Sequence, residues 1–382
     1  MHDLFIELLQ VALGNRECLS RVPSAVEWGV LYKESIRQAV AGIAFEGVKT
    51  LPDTQRPPQM LLFEWIALSE QIRQRNKQID KQTSEIWSQL KNDGLDSAIL
   101  KGQGIATLYD VGWKKDDGRR EMEDVVPLGT YRQSGDIDIW VKGGYQKVCD
   151  YVQRTHPTKD VAYHRFHYPY FEDTEVELHH RPTLMRNLFD DRKLARWYNS
   201  FGTDSFVYLA DKGFAVPPIE FNVIFILTHI YRHFLFEGIG LRQIIDYYFV
   251  LKNSNNNQNE NHNHNDNLED VIKTLRELRL TRFAEAIMWI LHTQFGLEEK
   301  YLICGMNEAE GRFVLNEIAQ TGNFGHSDTR YKYKFLYKLR RQIAHGLHLL
   351  LHYPSEVVWT PIWLLYHKVW KWKKKREIRG YR

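Results

Sequence analysis

Asp136 and Asp138, in the stretch Arg132-Gln-Ser-Gly-Asp136-Ile-Asp138-Ile-Trp-Val141, are the side chains of this sequence best suited to chemistry. From Asp136 to Val141 acidic and apolar residues alternate in β-branched and aromatic company, which is the pattern of a strand. Side chains two apart on a strand share a face, so Asp136 and Asp138 stand side by side while Ile137 and Ile139 enter the core. Two carboxylates held that close repel each other unless a cation lies between them. Hard divalent ions such as Mg²⁺ (or Mn²⁺) prefer oxygen pairs of this kind and keep coordination positions for substrate phosphates. An Asp-x-Asp on its own is more often a pair of solvated acids on a half-buried strand, so its meaning rests on what surrounds it.

The elements around it supply that meaning. Upstream, the apolar run Ser97–Leu100 reads as a strand, Lys101-Gly102-Gln103-Gly104 as a turn, and Ile105–Tyr109 as the start of a helix. A strand that passes through a glycine turn into a helix N-terminus offers free backbone N–H groups to an anion, and Lys101 adds a point charge there. Downstream, His164–Tyr170 and Thr174–His179 alternate on either side of Glu172-Asp173, as expected of a hairpin. On its second strand Glu175, Glu177 and His179 share one face, opposite Val176 and Leu178. A carboxylate and an imidazole presented beside the aspartate pair would complete a catalytic constellation. His179 could either orient an acid or touch substrate.

Leu100-Lys-Gly102, Arg132, Gly135-Asp136-Ile-Asp138-Ile and Val176-Glu177-Leu-His179 resemble the motifs of the DNA polymerase β-like nucleotidyltransferase superfamily, in particular a bacterial branch with Leu-Lys-Gly ahead of Asp-Ile-Asp. The resemblance covers about residues 80–185. It implies Asp136, Asp138 and Glu177 as the catalytic, metal-holding acids, with Glu177 preferred to Glu175 because it fits the Val-Glu-Leu-His pattern. It also implies that the phosphates of an NTP substrate lie over Lys101, Gly102 and Gln103 with Arg132 nearby, and that an NMP moves to a hydroxyl acceptor as pyrophosphate leaves. Two features depart from the pattern. Gly102-Gln103 stands where Gly-Ser or Gly-Gly is usual, and Asp136 follows Gly102 by a long spacing of 34 positions, with Lys114–Tyr131 reading as an inserted polar loop.

The rest of the chain reads as scaffold. The expected class is α+β, a small mixed β-sheet core over 93–185 between a helical N-terminal region, 1–92, and a helical C-terminal region, 186–382. Helical spacing marks Val26–Val48 and a long helix at Leu61–Leu90. In the C-terminal region His229, Arg232 and His233 recur at helical spacing and could line a cleft, while Arg242 and Asp246 form an i, i+4 pair. A metal site at His229 and His233 is not expected, since the Glu of a zincin motif is missing. The Asn/His tract Lys252–Asn267 is low-complexity and reads as a disordered insert.

Net charge is +3, which does not mark a nucleic-acid binder, and three scattered cysteines fit a reducing, cytoplasmic setting. From Lys371 onward, however, seven basic residues face one acid. The tail is expected as a docked terminal helix with a solvated basic end, which could make weak contact with a membrane surface or nucleic acid and so place the protein peripherally. The acceptor, whether small molecule, RNA or protein, is not specified by any motif, nor is the oligomeric state. Two other readings remain open at this level. A non-catalytic nucleotide-binding or antitoxin-like partner would keep the fold without the reaction. An Asp-x-Asp glycosyltransferase would need an α/β nucleotide-binding unit ahead of the motif, where residues 1–92 read helical.

Overall fold

Four short strands carry the site. Ser97–Ile99 (β1), Ile137–Val141 (β2), Arg165–His167 (β3) and Val176–His179 (β4) form a mixed sheet in the order β1-β2-β4-β3. β2 is antiparallel to β1 and parallel to β4, and β3 is antiparallel to β4. The computed structural model of the protein describes residues 3–110, 126–254, 264–323 and 346–379.

The sheet has two different faces, as the alternation requires. Ile137, Ile139, Val141, Val176 and Leu178 belong to a core shared with Ile79, Ile86 and Leu90 of the long helix and with Val148 and Val152 of the helix that follows β2. Asp138, Trp140, Glu177 and His179 share the other face, where Trp140 stacks on Phe221 at 5.2 Å. That second core is built from helices of both flanks.

The N-terminal flank contains α1 (Asp3–Ala12), α2 (Ala25–Arg37), α3 (Ala41–Thr50) and α4 (Gln59–Asn92). The stretch expected as one helical run at Val26–Val48 is therefore two helices. Ala39, at φ 57°, breaks it, because a positive φ cannot continue a right-handed helix. Beyond β1, α5 (Gln103–Ala106) is a single α-turn that tightens into a 3₁₀ turn at Thr107–Asp110. The Thr107 hydroxyl bonds back to the Gly104 carbonyl at 2.7 Å and competes with the regular ladder. α6 (Gly144–Thr155) connects β2 to β3.

In the C-terminal region, α7 (Leu188–Ser200), α8 (Ile219–Phe236), α9 (Leu241–Ser254), α10 (His264–Glu277), α11 (Thr281–Trp289) and α12 (Glu308–Thr321) precede a final helix, Pro354–Arg379. This region is not purely helical. β5 (Val207–Leu209) and β6 (Phe214–Val216) form a hairpin whose tight turn uses Gly213 at φ +75°. Val207-Tyr-Leu and Phe214-Ala-Val are unbroken apolar triplets, so no alternation reveals them.

Of the expected insert Lys252–Asn267, residues 255–263 lie outside the described residues, while its two ends continue α9 and begin α10. Residues 114–125 of the expected polar loop Lys114–Tyr131 also lie outside them, and Leu128–Tyr131 is a 3₁₀ turn with Leu128 and Tyr131 buried. No helix among the described residues is long and apolar enough to cross a membrane.

Candidate active site

Parallel pairing of β2 with β4 sets Asp138 directly beside Glu177. Asp138 is only 1% exposed. Its Oδ1 lies 2.8 Å from His179 Nε2 and its Oδ2 lies 3.0 Å from Lys101 Nζ. Asp136, at the entrance to β2 and half-buried, places an oxygen 3.9 Å from the same ammonium. Glu177 bridges two cationic partners, with Oε2 3.4 Å from His179 Nε2 and Oε1 2.5 Å from Arg165 Nη1. Asp138, Glu177 and His179 offer one ligand atom each within 4.8 Å of one another.

Burial and charge pull against each other here. Burial alone would raise the Asp138 carboxyl, but Lys101 and His179 outweigh it and hold it well below the usual carboxylate range. Burial would depress the Lys101 ammonium, yet Asp136, Asp138 and Glu177 keep it above its ordinary value. His179 is likewise raised: its bonds to Asp138 and Glu177 overcome desolvation. Glu177 moves the other way from Asp138. Burial pushes its carboxyl up and the nearby Asp138 charge adds to this, although His179 and the Arg165 contact favour the ionised form.

Lys101, Asp136, Glu177 and His179 open into a cleft of about 730 Å³, while Asp138 borders a small cavity beside it with Lys101 and Asp136. One wall is the sheet, with Lys101, Asp136, Glu177 and His179; the opposite wall is α8, with His229, Arg232 and His233. Trp363 and His367 of the C-terminal helix close one side. On α8, Arg232 Nη2 lies 2.8 Å from His233 Nε2, and His233 Nδ1 lies 2.8 Å from Glu237 Oε2. Those partners define a neutral imidazole that accepts from Arg232 and donates to Glu237. Burial pushes His233 down to about 4 and carries His229 well below its ordinary value too.

The residues expected at the phosphates are placed unevenly. Gly102, at φ +61°, turns the chain beside Asp136, and a Cβ there would stand 3.5 Å from the Asp136 carbonyl oxygen. Lys101 reaches both aspartates. Gln103 is buried and committed to protein: its amide donates to Asp80, and its Oε1 accepts from the Ser134 hydroxyl at 2.5 Å. Arg132 borders a small cavity with Gly102, but its guanidinium is anchored elsewhere. Nε and Nη2 donate to Asp246 at 2.6 and 2.8 Å, and the Tyr109 hydroxyl donates to Asp246 as well. Arg132 thus ties the loop before β2 to α9 through Nε and Nη2. The i, i+4 pair expected between Arg242 and Asp246 is replaced by these bonds, and Arg242 donates instead to the Gln133 carbonyl at 2.7 Å. A four-residue α5 also leaves little helix dipole for an anion.

Several cleft residues escape a reading of the sequence, among them Ser134, His164, Arg165, Glu237 and Trp363. For Arg165 a signal exists, since β3 pairs it with His179 across the hairpin. The donor set fits a hard divalent cation. Asp136 and Asp138 already direct one oxygen each at a single positive charge, and Glu177 lies beside them. His179 bonds to Asp138 in the manner of a group that orients a ligating carboxylate.

A small mixed sheet with an acid pair at the start of one strand, a carboxylate on its parallel neighbour and a lysine–glycine turn alongside is the plan of a nucleotidyltransferase core. A family model described as an uncharacterised nucleotidyltransferase matches residues 24–125 and 122–296, more than half of the chain, and the chain belongs to that family. No curated protein and no solved structure was found that matches it.

Proposed function

We propose that the protein transfers an NMP from an NTP to a hydroxyl acceptor, with Mg²⁺ (or Mn²⁺) as cofactor and pyrophosphate as the other product. The observation that carries this reading is the convergence of Asp136 and Asp138 on one cationic position, with Glu177 paired to Asp138 across β2 and β4. When bound, the divalent ion would neutralise charge on the phosphate oxygens as a Lewis acid. Asp136, Asp138 and Glu177 would hold it. Lys101, displaced from the aspartates, would turn its ammonium to the phosphates above Gly102.

Glu177 has a second task. A carboxylate with a raised pKa is a better proton acceptor than an ordinary one. It would take the acceptor's hydroxyl proton as the acceptor oxygen bonds to the α-phosphorus and the bond from that phosphorus to the β-phosphate oxygen breaks. His179 would fix the orientation of Asp138 throughout. The neutral imidazoles of α8 face the space where an acceptor would lie.

The test uses NTPs labelled at the α or the γ phosphate, with Mg²⁺ and fractionated cell extract. Transfer of α-label to an acceptor, with γ-label leaving as pyrophosphate, is the expected result. Transfer of γ-label would make the protein a kinase, and binding of NTP with no transfer from any fraction would favour a non-catalytic nucleotide-binding partner.

A further inference from the structure

Among the described residues, the C-terminal helix has one face docked and one face without packing neighbours from other elements, and the two are fixed relative to each other. On the docked face, the Glu356 carboxylate accepts the backbone N–H groups of Arg186 and Asn187 at 2.8 and 3.1 Å. Trp363 and Ile378 are buried, Trp370 meets Tyr145 edge-on, and the Lys374 ammonium sits 4.0 Å from the centre of the Tyr145 ring. On the opposite face stand Val358, Ile362, Leu365, Val369 and Trp372, each between 48% and 70% exposed. Their spacing of four, three, four and three residues makes one straight stripe. At 1.5 Å per residue it is about 21 Å long.

The C-terminal half of this stripe is flanked by charge of one sign. Lys368, Lys373, Lys375 and Arg376 are all exposed beside it. The acid among them, Glu377, is paired with Lys374 at 2.6 Å. A contiguous exposed apolar stripe rimmed by charged residues is the kind of surface that marks a protein or membrane interaction site. Aliphatic and Trp side chains on one line, with lysines beside them, are the elements of a helix that lies in a lipid interface.

We infer that the outer face of the C-terminal helix binds the surface of an anionic membrane, with Leu365, Val369 and Trp372 entering the headgroup boundary and the neighbouring lysines meeting lipid phosphates. The helix would lie on the bilayer without crossing it. Nucleic acid matches the charges but offers nothing for Val358, Ile362 and Leu365 to enter. A second copy of the chain would bring the same basic flank, with no surplus of acid to meet it.

The experiment uses the full chain with sedimenting vesicles of phosphatidylcholine alone or mixed with phosphatidylglycerol. Binding at least tenfold stronger to the mixed vesicles, and weakened by salt, is expected. The double variant Leu365→Ser/Trp372→Ser should lose at least tenfold in that binding, and Lys373→Glu/Lys375→Glu should lose the preference for phosphatidylglycerol. Both should keep the wild-type melting temperature, because the altered side chains point away from the core. Equal binding by wild type and the Leu365/Trp372 variant overturns the inference. So does stronger binding to an RNA oligonucleotide than to the mixed vesicles, or a dimer in light scattering that the same variant dissolves. A lowered melting temperature also counts against it, since it would mean the stripe is packed in solution.

Discussion

On the sheet wall of the cleft Asp138 stays ionised although it is buried, because Lys101 and His179 lie against it, whereas on the α8 wall burial leaves His229 and His233 neutral. Desolvation disfavours the charged form on both walls. What differs is the sign of the surrounding charge: two cations lie against Asp138, whereas burial together with Arg232 and Lys101 outweighs the one carboxylate, Glu237, that meets His233. The sheet wall is therefore suited to exchanging one cation for another. The α8 wall can exchange hydrogen bonds with an uncharged partner, such as a hydroxyl group, without changing its own charge.

The largest effect should come from removing the charge that organises the sheet wall. Asp138→Asn is expected to abolish transfer and to weaken Mg·NTP binding in calorimetry, since Lys101 and His179 would then face one another without their shared anion. Binding and transfer both near wild type would break the contrast between the walls. Next in size is Glu177→Gln, which keeps the shape and leaves the aspartates in place. Its transfer rate should fall by about 10²–10⁴, the usual worth of a general base, with Mg·NTP binding within a few-fold. Should binding fall as far as in Asp138→Asn, Glu177 is a primary metal ligand; should nothing change, Glu175 takes its place as candidate.

On the α8 wall a smaller and differently distributed effect is expected. His229→Ala should raise the acceptor KM by about tenfold, equivalent to one hydrogen bond of about 1.4 kcal/mol, and leave the KM for NTP unchanged. An effect on the NTP instead would put the nucleotide, not the acceptor, against α8.

The smallest effect concerns a buried carboxylate met by backbone N–H groups in place of an ammonium. Burial pushes Glu356 up to about 7 from an ordinary 4.5. The folded state thus binds this proton more tightly than the unfolded state, so its contribution is complete below the unfolded pKa and disappears as pH rises through the folded one. Between about pH 6 and 8 that amounts to about 1 kcal/mol. The wild-type melting temperature should fall by about 1–2 °C across that interval, and Glu356→Gln should flatten the fall. An unchanged slope would mean that Glu356 is ionised throughout.

Local signals in the sequence were enough for β2, the β3–β4 hairpin and α4, because period-two alternation and helical periodicity are properties of a few neighbouring residues. The position of Glu177 beside Asp138 needed more. It depends on the parallel register of β2 and β4, which no single stretch contains. Arg132 shows the limit most clearly. Its place next to the Gly-Asp-Ile-Asp motif suggested a phosphate contact, yet its partner Asp246 lies 114 residues further on. Gln103 was likewise unreadable, since Asp80 and Ser134 come to it from separate elements. The β5–β6 hairpin is hidden for a different reason: Val207-Tyr-Leu and Phe214-Ala-Val are apolar triplets with no polar residue to set an alternation.

Lys101 gives the resting site a property of its own. Its ammonium already stands between Asp136 and Asp138, so on the proposed reading a divalent ion enters by substitution and not by filling a gap. A bare ion that evicts the lysine leaves a buried cation with weaker compensation, and its net gain is small. An ion that arrives with a triphosphate gives the evicted lysine a new anion at once. Loading would then be a single concerted exchange that discriminates against the ion alone, with the lysine acting as an internal competitor. Lys101→Met should invert this selectivity in titration calorimetry, binding Mg²⁺ alone more tightly and Mg·NTP more weakly; tighter binding of neither would remove the lysine from the exchange.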